Sequence, residues 1–519
     1  MTNVKCKAWL TVAMACICAV GTPLYAKEAP DYSAFSDEEL GVYFQKFLVT
    51  ENPKFCKDLD LLLDEVASRD AAKPYISDPN PLSALLCAVY EKRHKDAFAL
   101  SADLEETLDA LLLSNLMLLV EVDAGEFPAA ARRIIKMASL ADGDYISELD
   151  EDVFWPLASA LALNKNDEIR SRMFRALADS PHLGRLPANM RSDIAQETIT
   201  LDAKSGNFGR VKMLKGELWG PYSVLNLLAN RKLEPIWPQL EEIAGPNLQK
   251  IAGANIAQNK EAYDADPEDR QAFKLYVQAL GFAGKFEEAI AVARTFHHSP
   301  EAMLDATEDD IWAMNIEAHA LDALGRDSEA DAVFDAMAAL PFEGERKFWL
   351  LNFIMNRASR LVNVGQWQKG YDATMLAHQV AEQAGSPWQK MFIRRARICA
   401  LVNLGRKAEA APLLTEAYER REDGYASAAR AYLCAGNDDK AAAIVIEALK
   451  NPDHQDDMAQ ALQPDDFGIF YVDSNLPDLR DRLRSRPEID AAFSKIARDL
   501  PDRLIPVASL RRRQIAQAK

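Results

Sequence analysis

The alternation of apolar and polar positions predicts a helix, a short turn and a second helix, repeated along the chain. Two segments show this best: residues 360–370 read RLVNVGQWQKG, and residues 400–410 read ALVNLGRKAEA. In the first, an apolar helix covering about 349–364 ends at a glycine, and another helix begins just after it. Strand signals are nearly absent, because no Asn-Gly or Asp-Gly turn lies between alternating apolar runs. The pattern therefore predicts paired helices.

Five glycines mark the same turn at nearly constant intervals of 41, 40, 40 and 31 residues: Gly284, Gly325, Gly365, Gly405 and Gly436. A repeat at this period indicates stacked supersecondary units. Five positions after each glycine stands a small residue, which we expect to be buried where paired helices touch. These small residues are Ala289, Ala330, Gly370, Ala410 and Ala441.

Helix starts are marked as well. Thr307 with Asp310 has the spacing of a capping box, and Ser386-Pro387 combines an N-cap residue with proline in the first helical turn. The glycines suit helix ends, since glycine adopts left-handed backbone conformations at little cost.

The segment GKFEEAI, residues 284–290, resembles the tetratricopeptide repeat, whose pattern is small–Gly–aromatic–acidic–Ala across a helix-turn-helix. The resemblance covers about 266–454. A period near 40 exceeds the family's 34 and implies longer helices. Earlier residues show an eroded form, with Gly125, Asn166 and Gly206 about 40 residues apart. The expected fold class is all-α, an α-solenoid of stacked TPR-like hairpins.

The expected organisation has four parts: a signal peptide at 1–26, degenerate α-hairpin repeats at 27–265, TPR-like repeats at 266–455, and capping helices with a basic tail at 456–519. Residues 1–26 have the order of a signal peptide, with lysines, then the apolar run AWLTVAMACICAV, then GTPLYA. We expect cleavage after Ala26 and a periplasmic or secreted product, with an uncleaved anchor as the alternative. No later stretch predicts an integral membrane segment.

The chain has 519 residues and a formal net charge of −19, which argues against nucleic acid and anionic membrane surfaces as main partners. Four cysteines follow the predicted cleavage site: Cys56, Cys87, Cys399 and Cys434. An oxidising compartment permits disulfides between them. The family register places Cys399 and Cys434 on adjacent first helices, four positions out of step, and helix axes ~10 Å apart make a bridge marginal. We therefore expect free thiols there.

Recognisable catalytic chemistry is missing. The sequence contains no HExxH, GxSxG, GxGxxG or P-loop motif, and no Cys/His cluster has zinc spacing. Soluble lytic transglycosylases place a helical superhelix before a lysozyme-like domain, but only ~60 residues follow the last repeat here. We expect no cofactor, no metal and no catalytic activity. The alternative is a cell-envelope enzyme, or a subunit of one, acting on polysaccharide or peptidoglycan.

The resemblance implies a concave groove lined by first helices, which binds a protein or peptide partner in the cell envelope. Within it, Asn363 and Asn403 recur at one register and are expected to hydrogen-bond an extended backbone. Arg395 and Arg430, in adjacent units, are expected to receive a carboxylate, or else to pair with surface acids. The oligomeric state is left open. The groove positions implied are Trp312, Asn315, His319, Asn352, Met355, Ser359, Asn363, Phe392, Arg395, Cys399, Asn403, Arg430 and Cys434.

Overall fold

The computed structural model describes residues 31–36, 39–40, 43, 55–69, 79–104, 114–140, 144–147, 149–296, 303–343, 346–464 and 474–518. The predicted signal peptide lies outside these residues. The described chain is all-helical, as predicted, apart from an isolated antiparallel bridge between Asn230 and Ala497. None of its helices has the length and apolar character needed to cross a membrane.

The chain divides into two compact units, residues 1–201 and 202–519. Neighbouring helices of the first unit pack in pairs around a core that includes Leu59, Leu85 and Met117. The α-helices that begin in this unit are α1 Phe55–Ser68, α2 Pro79–Tyr90, α3 His94–Leu104, α4 Ser114–Asp123, α5 Phe127–Ala138, α6 Asp144–Ser147, α7 Glu151–Leu163, α8 Asp167–Asp179 and α9 Ala188–Lys204.

The second unit continues the pairing of neighbouring helices. Its α-helices are α10 Val211–Leu214, α11 Pro221–Ala229, α12 Trp237–Ala244, α13 Gln249–Ala265, α14 Arg270–Phe282, α15 Phe286–Ala293, α16 Glu308–Ala323, α17 Asp327–Ala338, α18 Arg346–Asn363, α19 Trp367–Ala384, α20 Pro387–Asn403, α21 Lys407–Glu419, α22 Tyr425–Cys434, α23 Asp438–Lys450, α24 Gln455–Ala461, α25 Leu479–Leu483, α26 Pro487–Phe493 and α27 Val507–Ala518. Short 3-10 helices cover Tyr32–Ala34, Leu183–Arg185, Arg231–Ile236, Pro246–Leu248, Arg421–Asp423 and Asp502–Leu504.

The glycine turns form as the sequence predicts. Gly365 has a φ of 81°, and its N–H donates to the carbonyl of Val362 at 3.2 Å. The N–H of Gln366 donates to the carbonyl of Leu361 at 2.9 Å, which completes a Schellman motif. The second helix, α19, begins one residue later. Positive φ values at Gly284, Gly325, Gly405 and Gly436 repeat this geometry.

One turn was placed one residue too late. We expected Asn166 in the position of the glycines, but Lys165 takes the left-handed conformation, with a φ of 56°. The N–H of Asn166 instead donates to the carbonyl of Leu161, the bond that Gln366 makes in its own turn. Lys92 adopts the same conformation before α3. Lysine tolerates this conformation as a single residue at some cost, so the turn persists without glycine.

The small residues after the turns are buried, as predicted. Ala330 is 0% exposed and Ala410 is 1% exposed. At Gly370 an added Cβ would lie 2.7 Å from Val362 Cγ2, so α18 and α19 touch where only glycine fits. Both predicted caps are present: Thr307 and Asp310 form a capping box, and Ser386 forms one with Gln389. Sequence therefore sets the contacts within each hairpin.

The C-terminal residues contact several parts of the second unit. Leu479, Ile489 and Phe493 are buried in one core cluster with residues of α22 and α23. Farther on, the N–H of Arg498 donates to the carbonyl of Ala229 at 2.9 Å. In α27, Arg511 pairs with Glu287 at 3.4 Å, and thus with an acid of the chain itself. The C-terminal residues therefore contact earlier helices of the second unit as well as the last hairpin.

Candidate ligand-binding surface on the first helices

The first helices of consecutive hairpins, α16, α18, α20 and α22, contact one another in sequence. Hydrogen bonds between polar side chains join α16 to α18 and α18 to α20. Asn356 donates to Asn315 at 3.1 Å, and Gln389 donates to Asn352 at 2.9 Å. A second bond between α20 and α18 joins Arg395 to Ser359. Four of the positions that the family register implied therefore lie at helix–helix contacts: Asn315, Asn352, Ser359 and Arg395.

The earliest of these positions are well packed. Asn315 is completely buried, and its amide nitrogen has no partner among the described residues. Trp312 is half-buried, donates to Glu308 at 3.2 Å and packs edge-on against Phe353. Asn356, which bonds Asn315, was not among the predicted site residues. Its signal in the sequence was its spacing, one helical turn after Asn352.

His319 lies edge-on to the ring of Phe334, with centroids 5.6 Å apart. Burial, and to a smaller extent the positive charges of Arg360 and Arg512, lower its pKa to about 3. The imidazole is therefore neutral at physiological pH. It suits a packed position between aromatic and cationic neighbours.

The two amides at one register do different things. The backbone carbonyl of Asn363 accepts the N–H of Asn475 at 2.8 Å, and its side-chain oxygen accepts the hydroxyl of Ser474 at 3.4 Å. Asn403 donates instead to the carbonyl of Cys399 in its own helix. Of the two, Asn363 is the one that hydrogen-bonds another described segment, and that segment belongs to this protein.

Arg395 is a buried cation with no carboxylate partner among the residues that the structure describes. Its side chain is 8% exposed, and one terminal nitrogen donates to the Ser359 hydroxyl at 3.0 Å. The guanidinium lies over the ring of Phe392, 4.3 Å from its centroid, and its Nε has no partner in the described chain. Burial lowers its pKa, and the like charge of Arg430 adds to this effect. Such a group is costly to bury unpaired.

Arg430 stands beside this group on α22. It is half-buried, and within the described ranges no carboxylate lies at ion-pair distance from either arginine. Each arginine precedes a cysteine by four residues, Cys399 on α20 and Cys434 on α22. Residues four apart share a helix face. The arginines therefore lie one turn from the cysteines, on the same faces.

Our expectation of free thiols at these cysteines was wrong. Cys399 and Cys434 form a disulfide, with Cα atoms 5.2 Å apart. The prediction assumed that the axes of α20 and α22 lie at the usual distance. On α20, however, alanines flank the disulfide. Ala396 and Ala400 are both buried in the same cluster as Cys399. Small side chains let α22 approach α20 closely enough for a bond.

Other positions implied by the register face the interior. Met355 is 3% exposed and belongs to the core of the α15–α20 hairpins, and Ser359 is 8% exposed. The described residues hold no group of three or more His, Cys, Asp or Glu side chains suited to a metal ion. Within the same part of the chain, Arg395 and Arg430 offer an anionic ligand positive charge and hydrogen-bond donors, and no described carboxylate pairs with either of them.

Comparison with protein-family models gives no match, and a search of curated proteins gives none either.

Proposed function

We infer that this chain is an exported, non-catalytic binding protein, a TPR-like α-solenoid whose first helices hold a protein or peptide partner. Its helices pack in neighbouring pairs, and its turns recur at the period of such arrays. The signal-like order of residues 1–26 supports export. In this proposal the partner places an anionic group against Arg395 and Arg430.

The observation that carries the proposal is the buried, uncompensated guanidinium of Arg395. Burying a charge is unfavourable unless a partner is supplied, and among the described residues the hydrogen-bond partner of this guanidinium is the Ser359 hydroxyl. A carboxylate bonded to the donors of the half-buried Arg430 would also supply the negative charge that the neighbouring Arg395 lacks, in charge-assisted bonds that suit planar guanidinium groups. The ligand would thus complete an interaction that the fold leaves open.

Neighbouring groups favour a peptide as the bearer of this carboxylate. Amide side chains lie on α18 and α20 nearby, at Asn352 and Gln389, and amides can both donate to and accept from a peptide backbone. At Asn363, the chain already hydrogen-bonds a non-helical segment of its own through the N–H of Asn475. A chain terminus or an acidic side chain of a partner fits this setting.

The experiment is a peptide array in which every sequence is synthesised twice, with a free C-terminal carboxylate and with an amide. Mature wild-type protein should retain a subset of free-acid peptides at least about tenfold more tightly than their amides, since a charge-assisted bond contributes ~1.5–3 kcal/mol. The double variant R395Q/R430Q should lose this preference.

The matched control is R394Q. Arg394 is the neighbour of Arg395 on α20, but it is paired with Glu416. Its loss should leave the preference for free acids unchanged. Equal retention by wild type and R395Q/R430Q would refute the role of the two arginines, and no retention of any peptide by wild type would refute peptide binding itself.

A further inference from the structure

The first described helix pair brings two free thiols face to face. Helices α1 and α2 are antiparallel neighbours, and two contacts fix their register. The rings of Phe55 and Tyr90 stack with centroids 4.1 Å apart, and the Ser83 hydroxyl donates to the carboxylate of Asp60. Between these contacts, Cys56 of α1 lies opposite Cys87 of α2.

The surroundings agree with this register. Cys56 and Cys87 pack in the same apolar cluster, and both are free. The neighbouring thiol of Cys56 contributes to the rise in the pKa of Cys87 to about 12, although burial is the larger cause. Cys56 is half-buried and lies 3.8 Å from Glu91, so an oxidant reaches this thiol first.

We propose that Cys56 and Cys87 are a site of oxidative modification and form a second disulfide, which closes α1 onto α2. The reaction with a disulfide oxidant such as oxidised glutathione balances in two exchanges. The thiolate of Cys56 attacks the oxidant, forming a mixed disulfide and releasing one glutathione thiolate. The thiolate of Cys87 then attacks the Cys56 sulfur and releases the second. Both protons from the protein thiols end on the two released glutathione molecules.

This modification has a defined kinetic character. Thiolate is the attacking species, and the raised pKa values of both thiols make it scarce at neutral pH. Bond formation should therefore be slow at pH 7 and faster at pH 8.5. Once formed, the disulfide closes a loop of about 30 residues and restricts the unfolded chain. The disulfide belongs to the first unit, whereas Arg395 and Arg430 belong to the second.

The test uses the mature chain, reduced and then incubated with oxidised glutathione at pH 8.5. Free thiols are alkylated in denaturant, and linked peptides are mapped by mass spectrometry. We expect a peptide that joins Cys56 to Cys87, besides the one that joins Cys399 to Cys434, each with a mass lower by two hydrogen atoms. Melting of the first unit should rise by about 5–10 °C.

The control is C56S, in which Cys87 should stay open to alkylation and the oxidant should leave melting of the first unit unchanged. Mapping of the wild-type chain decides the outcome even if the variant folds poorly. Alkylation of both Cys56 and Cys87 after oxidation, or glutathione retained on either of them, while Cys399 and Cys434 are joined, would overturn the proposal.

Discussion

Arg360 and Arg395 are buried arginines on the adjacent first helices α18 and α20, and they differ in whether a described carboxylate pairs with them. Arg360 is 3% exposed and donates to both oxygens of Asp322, at 2.6 and 2.7 Å, and to Asp331. Arg395 is 8% exposed, and in the described part of the chain it contacts the Ser359 hydroxyl and the face of Phe392 but no carboxylate. The charge of Arg360 is neutralised within the fold, and the charge of Arg395 is not neutralised by any described carboxylate.

In our proposal Arg360 stabilises the fold, whereas Arg395 takes part in ligand binding. Arg360 is paired with two carboxylates. Removing it leaves those carboxylates without a counter-ion, which destabilises the native state. A buried charge without a described carboxylate lacks this internal pairing, and in our proposal an external carboxylate supplies it. The following variants test whether the two arginines differ in this way.

Replacing Arg360 by Met should have the largest effect, a loss of about 3–5 kcal/mol in unfolding free energy, because the buried Asp322 is left without a counter-ion. Urea denaturation measures it. The control is R357M on the same helix, whose partner Asp335 is exposed, with an expected loss under about 1 kcal/mol. Equal losses in the two variants would show that the Arg360 network is not special.

Removing the disulfide with C399S/C434S should cost about 2–4 kcal/mol, since the bond restricts the unfolded chain across a separation of 35 residues. Calorimetric melting measures the loss. The bond also holds α20 and α22 together one helical turn from Arg395 and Arg430. Its loss should therefore weaken the preference for free-acid peptides as well. Unchanged melting of the double variant would mean that the bridge adds no constraint.

Enlarging Ala410 to Leu should overpack the contact within its hairpin and cost ~1–3 kcal/mol, because Ala410 is 1% exposed. Ala408 lies on the exposed face of the same helix and supplies the control, A408L. Thermal melting of both variants gives the comparison. A410L should melt below A408L, and identical melting would place the buried face elsewhere.

His319 should make stability depend on pH. Its folded pKa, about 3, lies below the ordinary value of 6.5, so the unfolded chain binds the proton first as pH falls. Stability is therefore lost below pH 6.5, by about 1 kcal/mol per pH unit until pH approaches 3. In H319F this contribution should vanish, and urea denaturation at pH 6.5 and 5 should show a smaller drop than wild type. Parallel losses in both would contradict the assignment.

The sequence predicts what depends on neighbours within one hairpin. The left-handed turn at Gly365 and the burial of Ala410 follow from local spacing and residue size. The turn at Lys165 was misplaced, because no glycine marks it. The disulfide of Cys434 was missed, since its formation depends on how closely two hairpins approach.

The site was less predictable for the same reason. Arg395 and Arg430 were named from the repeat register, but only the structure shows that no described acid reaches them. Arg360 was not singled out, because its partners Asp322 and Asp331 come from the preceding hairpin, 38 and 29 residues earlier. Ion pairs between hairpins follow from packing, which a one-dimensional pattern leaves open.

Arg395 to Met should have the smallest effect on stability, a change within about 1 kcal/mol of wild type, because no internal ion pair is broken. The same variant tests the central claim, that Arg395 is left open for a carboxylate. Melting is measured by calorimetry as sodium acetate replaces sodium chloride at constant ionic strength. Binding to the native state raises the melting temperature with acetate concentration. The account predicts such a rise for wild type and none for R395M. Equal rises in the two proteins, or no rise in wild type, would contradict it.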